Sequence, residues 1–174
     1  MQTGSTEQTL SSLTAPLIKQ IPVTVHGSEL YAVLGKILDE QPDETRLALK
    51  NILEQYLMHM KKNQASDIDI GGLGCDGKIW YRIFGDKKPF KKSDNYSLIE
   101  TDFLLLNILV NSQRERLIKD KNLDFSYSID VGDGKTQRFR VDIYFDMEHF
   151  AMNMRKIDST IRPFKSLNVH PEIA

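Results

Sequence analysis

The chain has 174 residues, of which 40% are hydrophobic and 27% are charged, with a formal net charge of -1 and one cysteine, Cys75. This composition is enough for a folded core, and it argues against a nucleic-acid partner bound through a globally basic surface. A single cysteine excludes an internal disulfide and a cysteine-based zinc site. Because no apolar run approaches the roughly 18 residues of a membrane-spanning helix and no signal peptide is evident, we expect a cytoplasmic protein.

The first third of the chain predicts a flexible tail followed by helices. Residues 1–27 are rich in Ser, Thr and Gln without sustained periodicity, which is typical of a tail. Residues 28–62 predict a helical extension: a short helix capped by Ser28, an interruption at Pro42, and a longer helix. One face of the longer helix carries an apolar stripe made of Leu49, Ile52, Leu53, Tyr56, Leu57 and Met60. The stripe indicates a buried helix face rather than a metal site around His59.

From Ala65 the hydrophobic period changes from that of a helix to that of a strand. The stretches "SDIDI" and "KIWYRIFG" alternate and predict two strands, and "GDKKPFKK" then predicts a lysine-rich turn. "SLIETDFLLLNILV" predicts a buried helix that starts at Ser97. Ser112 and Glu115 match a capping box, which predicts a second, shorter helix.

The remaining segments predict the rest of an antiparallel sheet. "LDFSYSIDVGDGKTQRFRVDIYF" predicts a hairpin, and "HFAMNMRKI" predicts one more strand. The fold class is therefore α+β, with about five to six antiparallel strands over residues 63–157 and helices packed on one face. Residues 158–174 have no period and are expected to form a linker.

Two motifs in this region suggest chemistry but have simpler interpretations. Gly72, Gly74 and Gly77 have dinucleotide-binding spacing, yet a strand rather than a helix follows them, so we interpret them as a loop. Asp67 and Asp69 share a strand face but supply too few ligands for a metal, so a solvated or hydrogen-bonded face is expected. No metal site is predicted.

Arginines on the opposite face of the predicted hairpin are the main functional signal. Alternation directs these apolar residues inward: Phe139, Val141, Ile143 and Phe145. Arg138 and Arg140 must then share the other face, with Arg155 of the next strand on the same side and Arg82 if the first two strands join the sheet. Two interpretations stay open: a solvated face with Asp142 as partner, or a surface that holds phosphate through planar guanidinium groups.

Several of these segments resemble the N-terminal domain of secretion ATPases, the family of the type IV pilus twitching-motility ATPase PilT and the type II secretion ATPase GspE. "ASDIDI" is similar to the family's A-S-D-[IL]-H-[IL], "YRIFG" to R-[VI]-D-G, "LDFSYSI" to L-D-F-S-[YF], and "RFRVDIY" to R-F-R-V-N-x-[FY]. "MRKIDSTIRPFKSLNV" is similar to the segment that leads into the catalytic domain. The resemblance covers residues 65–169.

The resemblance implies a PAS-like domain hinged to a RecA-like ATPase domain, with six subunits in a ring. It implies that Arg138, Arg140 and Arg82 contact nucleotide phosphate in trans and that Arg155 lies near the hinge and the nucleotide. It also implies ATP and Mg²⁺ in the parent protein, with no cofactor in this domain alone. The expected partners are the RecA-like domains of its own and neighbouring subunits and inner-membrane platform proteins, at the cytoplasmic base of a pilus or secretion machine.

On this interpretation the chain is an N-terminal domain separated from its catalytic domain. No G-x-x-x-x-G-K-[ST] motif occurs in the sequence, so the chain is not expected to be an enzyme on its own. Without the catalytic domain it should be monomeric in dilute solution. The alternative is a free-standing PAS-like ligand-binding or scaffold module, and a phosphate-binding loop beyond Ala174 would favour the motor.

Overall fold

A computed structural model describes residues 8–92 and 94–158 of the chain. Six strands form one antiparallel sheet, as the alternating segments predicted. The strands are β1 (Ala65–Gly71), β2 (Trp80–Ile83), β3 (Asp86–Pro89), β4 (Asn122–Asp130), β5 (Thr136–Asp146) and β6 (His149–Ile157). Their order across the sheet is β3-β2-β1-β6-β5-β4, so the last of these six strands lies in the middle.

Five helices cover one face of this sheet, which confirms the predicted α+β class and is consistent with a PAS-like domain. They are α1 (Leu10–Ile18), α2 (Gly27–Asp39), α3 (Asp43–Lys62), α4 (Leu98–Asn107) and α5 (Asn111–Asp120). α3 and α4 contact the sheet directly, while α1 and α2 pack on α4. Among residues 8–92 and 94–158, no helix is long and apolar enough to span a bilayer.

The core lies between the sheet and these helices. All six apolar residues of the predicted α3 stripe are buried, because one helical face meets the sheet. On β5 and β6 the residues predicted to point inward line the other side of this core. Those that are fully buried are Phe139, Val141, Ile143, Phe150, Met152 and Met154, whereas Phe145 is only partly buried.

The N-terminal segment differs from the predicted tail, because residues 10–18 form α1. Thr9 and Ser12 make a reciprocal capping box at its start. Leu10 and Leu17, two turns apart, are buried against α3 and α4. This packing outweighs the polar composition of the flanking segment and the internal Pro16, since tertiary burial supplies most of a short helix's stability. Residues 1–7 and 159–174, and with them most of the predicted linker, lie outside the described part.

Three further local predictions need correction. α2 begins at Gly27 with His26 at its cap, not with Ser28. α5 begins after Val110, whose main-chain N–H donates to Gln113, so Ser112 and Glu115 do not form the capping box. The lysine-rich turn is instead the short strand β3, which pairs with β2. Ser97 and Glu100, by contrast, cap α4 reciprocally, at the predicted start of that helix.

The glycine-rich segment is a loop between β1 and β2, as predicted. Gly72 has a φ of 65°, and a Cβ there would lie 2.7 Å from Asp146 Oδ2 and 2.8 Å from the Ala151 Cβ. The main-chain N–H of Gly74 donates to the same Asp146 carboxylate at 3.2 Å. Gly72 therefore serves a close approach to the β5–β6 turn, whereas a Cβ on Gly77 would lie 2.9 Å from the Tyr96 carbonyl oxygen.

A buried carboxylate ties α4 to the start of β6. Asp102 is fully buried and accepts hydrogen bonds from His149 Nδ1 at 2.7 Å and from the Phe150 main-chain N–H at 2.8 Å. Burial raises the pKa of Asp102, which the two hydrogen bonds partly offset. The hydrogen bond to Asp102 raises the pKa of His149. From α2, the Tyr31 hydroxyl donates to the carbonyl of Glu148 next to it, so the β5–β6 turn is held from two helices.

Candidate functional site: the open face of the sheet

The face of the sheet opposite the helices, called the open face here, carries the predicted arginines. The strand register places Arg82 opposite Asp67, Asp67 opposite Arg155, and Arg155 opposite Arg140. Directly opposed residues in an antiparallel sheet point to the same side. These four residues therefore form one line across β2, β1, β6 and β5, which we call the arginine row. Arg138 lies two residues along β5 from Arg140, about 7 Å away.

Asp67 is the buried centre of the arginine row. Its carboxylate is only 5% exposed because it lies beneath two guanidinium groups. Arg155 Nε donates to Asp67 Oδ1 at 2.7 Å, Arg82 Nε lies 3.8 Å from Oδ2, and Ser66 Oγ donates to Oδ2 at 2.7 Å. The sequence indicated a solvated or hydrogen-bonded role for this strand face, and the second of these is the one observed.

Arg140 is paired with Asp124 of β4. Its Nη2 and Nε atoms both donate to the Asp124 carboxylate, the latter at 3.1 Å. This hydrogen bond lowers the pKa of Asp124 and raises that of Arg140. The partner expected for a solvated face, Asp142, instead accepts a hydrogen bond from Asn122 Nδ2 at 2.7 Å. Asp124 and Asp142 lie directly opposite each other across β4 and β5, and Arg140 pairs with the one on β4.

Arg140 and Arg155 together border a shallow concavity of about 230 Å³, which is also lined by Asp124, Asp142 and Asn153. Asn153 Nδ2 donates to Asp69 at 2.7 Å and so continues the polar network toward β1. Guanidinium groups, an amide and carboxylates thus meet at one point of the open face. The structure brings these two predicted arginines to one site.

Arg138 and Arg82 lie apart from that concavity and differ in their pairing. Arg138 is exposed, and its side chain makes no hydrogen bond or ion pair with residues 8–92 or 94–158. Arg82 is on β2, three strand spacings from Arg140, or about 14 Å. Arg138 is therefore much closer along the sheet to Arg140 than Arg82 is.

Three polar side chains of the open face were not singled out from the sequence as parts of a site. Asp124 and Asn153 border the concavity, and Lys87 of β3 forms an ion pair with Asp69 at 3.1 Å and lies over the Trp80 ring. Alternation places each of them on this face, but only the strand order brings them near the arginines. The hairpin register alone, fixed by the Val131–Lys135 turn, could have identified Asp124.

Comparison of the chain with known proteins gives matches in structure only. No protein-family model and no characterised protein sequence matches it. Its fold matches the crystal structure of the pilus retraction motor PilT with bound ADP, with a TM-score of 0.55 and 22% identity over 68% of this chain. It also matches the ATPase DotB of Legionella pneumophila (TM-score 0.55, 21% identity over 70%) and of Yersinia pseudotuberculosis (TM-score 0.55, 17% identity over 71%).

Each match spans about a third of the other protein: 33% of PilT, 33% of the Legionella DotB and 34% of the Yersinia DotB. At this level of identity the likeness concerns the fold. It agrees with the resemblance found in the sequence motifs, which pointed to one domain of a larger secretion or pilus ATPase. The chain accordingly has the fold of a domain that PilT and DotB contain, consistent with an N-terminal domain of the family that its motifs resemble.

Proposed function

We propose that this chain is the nucleotide-covering and subunit-interface domain of a hexameric secretion or type IV pilus motor ATPase. In the proposed ring, its open face meets ATP held by the RecA-like catalytic domain of a neighbouring subunit. The supporting observation is the arginine row with Arg138 beside it, on a face of the sheet that no helix within residues 8–92 and 94–158 covers. The motif resemblance and the shared fold with PilT and DotB support the same assignment.

The pairing on the open face supports a different proposed role for each arginine. Arg138 has no partner in the described part of the chain, so it is the arginine most available for a phosphate oxygen. Arg140 is oriented by its hydrogen bonds to Asp124. Because a guanidinium has five N–H groups, Arg140 would bind the same phosphate as Arg138 with the N–H groups that Asp124 leaves unused. Arg155 and Arg82 hold Asp67 between them and would set the geometry near the hinge.

These residues suit the phosphates of ATP but not the whole nucleotide. Exposed guanidinium groups bind phosphate oxygens well, whereas the carboxylates of Asp124 and Asp142 beside them would repel the same charge. The open face can therefore stabilise phosphate that another domain already holds. In the parent protein, ATP would supply the transferred phosphoryl group and Mg²⁺ would neutralise part of its charge, both bound mainly by the catalytic domain.

Assembly and location follow from the same proposal. Contacts with RecA-like domains would close the ring, and inner-membrane platform proteins would hold the motor at the cytoplasmic base of a pilus or secretion machine. The isolated domain would neither hydrolyse ATP nor form hexamers, because ring contacts and most phosphate contacts belong to the catalytic domain.

The test is ATP turnover by assembled rings of the full-length parent protein carrying both Arg138→Ala and Arg140→Ala. We expect turnover to fall by roughly 10³- to 10⁵-fold, as for other arginines that act in trans on a transferring phosphoryl group. The matched control is Arg116→Ala, which removes an exposed arginine of α5 whose ion-pair partner among the described residues is Asp120 of its own helix. In the isolated chain, both variants should unfold at nearly the same denaturant concentration as the unaltered chain.

Unaltered turnover per ring in the double variant would refute the role of these arginines. If the isolated double variant also failed to fold, the arginines would be structural. A parent sequence that lacks a phosphate-binding loop would favour the free-standing PAS-like module instead.

A further inference from the structure

The two edges of the sheet are built differently. The outer edge of β3 is four residues long and contains two lysines and Pro89, features that block the addition of another strand. β4, at the opposite edge, is nine residues long and contains neither lysine nor proline. Its apolar residues alternate along the strand, at Leu123, Phe125, Tyr127 and Ile129. Of the two edges of the described sheet, only β4 therefore has the length to accept a further strand without a lysine or proline in the way.

Hydrogen bonds at the two ends of the β4–β5 hairpin show which main-chain groups face outward. The Val131 N–H donates to the Lys135 carbonyl, and the Phe145 N–H donates to the Lys121 carbonyl. In an antiparallel pair every second residue of a strand forms main-chain hydrogen bonds with the neighbouring strand. The two hydrogen bonds above therefore show that the odd-numbered residues of β4 bond to β5. The N–H and C=O groups of Asp124, Ser126 and Ser128 consequently point away from the sheet. Within residues 8–92 and 94–158 nothing bonds to them.

The side chains of β4 complement those of a second β4 strand running in the opposite direction. A register centred on Ser126 sets Phe125 opposite Tyr127 and Leu123 opposite Ile129 on the inner side. On the open face this register sets Asp124 opposite Ser128 and Asn122 opposite Asp130, so no carboxylate lies directly opposite another carboxylate. In the same register the main-chain N–H and C=O groups that point away from β5 in one copy face the corresponding groups of the other copy, as antiparallel pairing requires. Phe125 and Tyr127 are only partly buried at this edge, and pairing would cover them further.

We propose that β4 pairs antiparallel with β4 of a second copy of this chain, in the register centred on Ser126, to form a continuous sheet of two domains. The partner is a second copy because the strand is self-complementary in that register. A single pair of edge strands buries less than the roughly 1,200 Å² of a stable interface. The association is therefore weak and reversible, with a dissociation constant on the order of 100 µM. This agrees with a monomer in dilute solution.

The test is analytical ultracentrifugation of the isolated chain from about 5 to about 500 µM, a range that brackets the expected dissociation constant. We expect a reversible monomer–dimer equilibrium for the unaltered chain. Ser126→Pro removes an outward N–H, adds a ring at the edge and leaves the bonds to β5 intact, so it should remain monomeric throughout. Ser126→Ala keeps the N–H and should dimerise like the unaltered chain.

A monomer at every concentration, or a dimer that Ser126→Pro does not weaken, would overturn the proposal. If Ser126→Pro fails to fold, amide exchange in the unaltered chain decides: the Asp124, Ser126 and Ser128 amides must exchange more slowly at high than at low concentration. Protection of these amides only in full-length rings, with a monomeric isolated chain, would also overturn self-pairing and would indicate a segment of another protein. The proposal is independent of the arginines and of ATP.

Discussion

On the helix-covered face of the sheet, side chains such as Phe139 and Met154 are fully buried, whereas on the open face their neighbours Arg140 and Arg155 form ion pairs at the surface. The two sets alternate along the same strands. The covered face stabilises the fold through apolar contact, and the open face holds charge in defined positions at little benefit to stability. Substitutions on the two faces should therefore affect different measurements, and the following predictions test that separation.

The largest effect is expected for Phe139→Ala on the covered face. Removing this fully buried ring leaves a cavity and should lower the free energy of unfolding by about 3–5 kcal/mol. Tyr144→Ala, on the open face of the same strand, removes a side chain that is 41% exposed and should cost less than about 1 kcal/mol. Urea denaturation of the isolated chain measures both. Equal losses would contradict the division between the faces.

A smaller effect is expected for Asp102→Ala, which removes a polar group from the margin of the covered face. The change leaves the Phe150 N–H and His149 without their acceptor in a buried site, so the free energy of unfolding should fall by about 2 kcal/mol. Asp102→Asn retains an acceptor oxygen and should cost less. An unchanged denaturation midpoint for Asp102→Ala would show that the link between α4 and β6 is not needed for stability.

Within the open face, Arg155→Ala should matter more to stability than Arg82→Ala. Arg155 donates to buried Asp67 at 2.7 Å, whereas Arg82 lies 3.8 Å from it. Loss of the closer partner should cost about 1 kcal/mol, and loss of the farther one about half as much. Urea denaturation of the isolated chain measures the loss for both variants. The reverse order would mean that Arg82, not Arg155, compensates the Asp67 charge.

The smallest effect is a dependence of stability on pH through His149. Its pKa is raised above the ordinary value of 6.5, so the folded chain binds a proton that the unfolded chain releases sooner. The stabilisation is thus fully present below about pH 6.5 and is lost as the pH rises through the raised pKa. The raised pKa of Asp102 acts in the same direction, because the folded chain also keeps the proton of the Asp102 carboxyl group to a higher pH than the unfolded chain does.

His149→Gln should flatten the curve of unfolding free energy against pH above about pH 6.5, measured by urea denaturation. An equally steep curve in the variant would assign the dependence to other groups.

Periodic features of this fold could be predicted from the sequence, and features that depend on distant contacts could not. The α3 stripe and the alternation in β5 are regular over many residues, so both were correct. α1 was missed because it is only nine residues long, contains Pro16 and buries a polar residue, Thr14, beside Leu10 and Leu17. β3 was missed because its lysines resemble a turn, although pairing with β2 makes it a strand.

The candidate site shows the same limit. Alternation correctly placed Arg138, Arg140 and Arg155 on one face. It could not show that Arg140 pairs with Asp124 or that Asp67 lies between two arginines, because those contacts depend on the strand order. The buried Asp102 is similar, since its partner His149 is 47 residues away along the chain.

The central position of β6 has a mechanical consequence. β6 is the strand from which the chain continues beyond Ile157, and it is hydrogen-bonded to β1 on one side and to β5 on the other. A force applied to the chain there would act along the strand and load both sets of hydrogen bonds in shear at the same time. A force applied to an edge strand would instead load only the hydrogen bonds to its single neighbour, which could break one after another. The strand through which the chain leaves the described sheet is therefore the one at which that sheet best resists pulling.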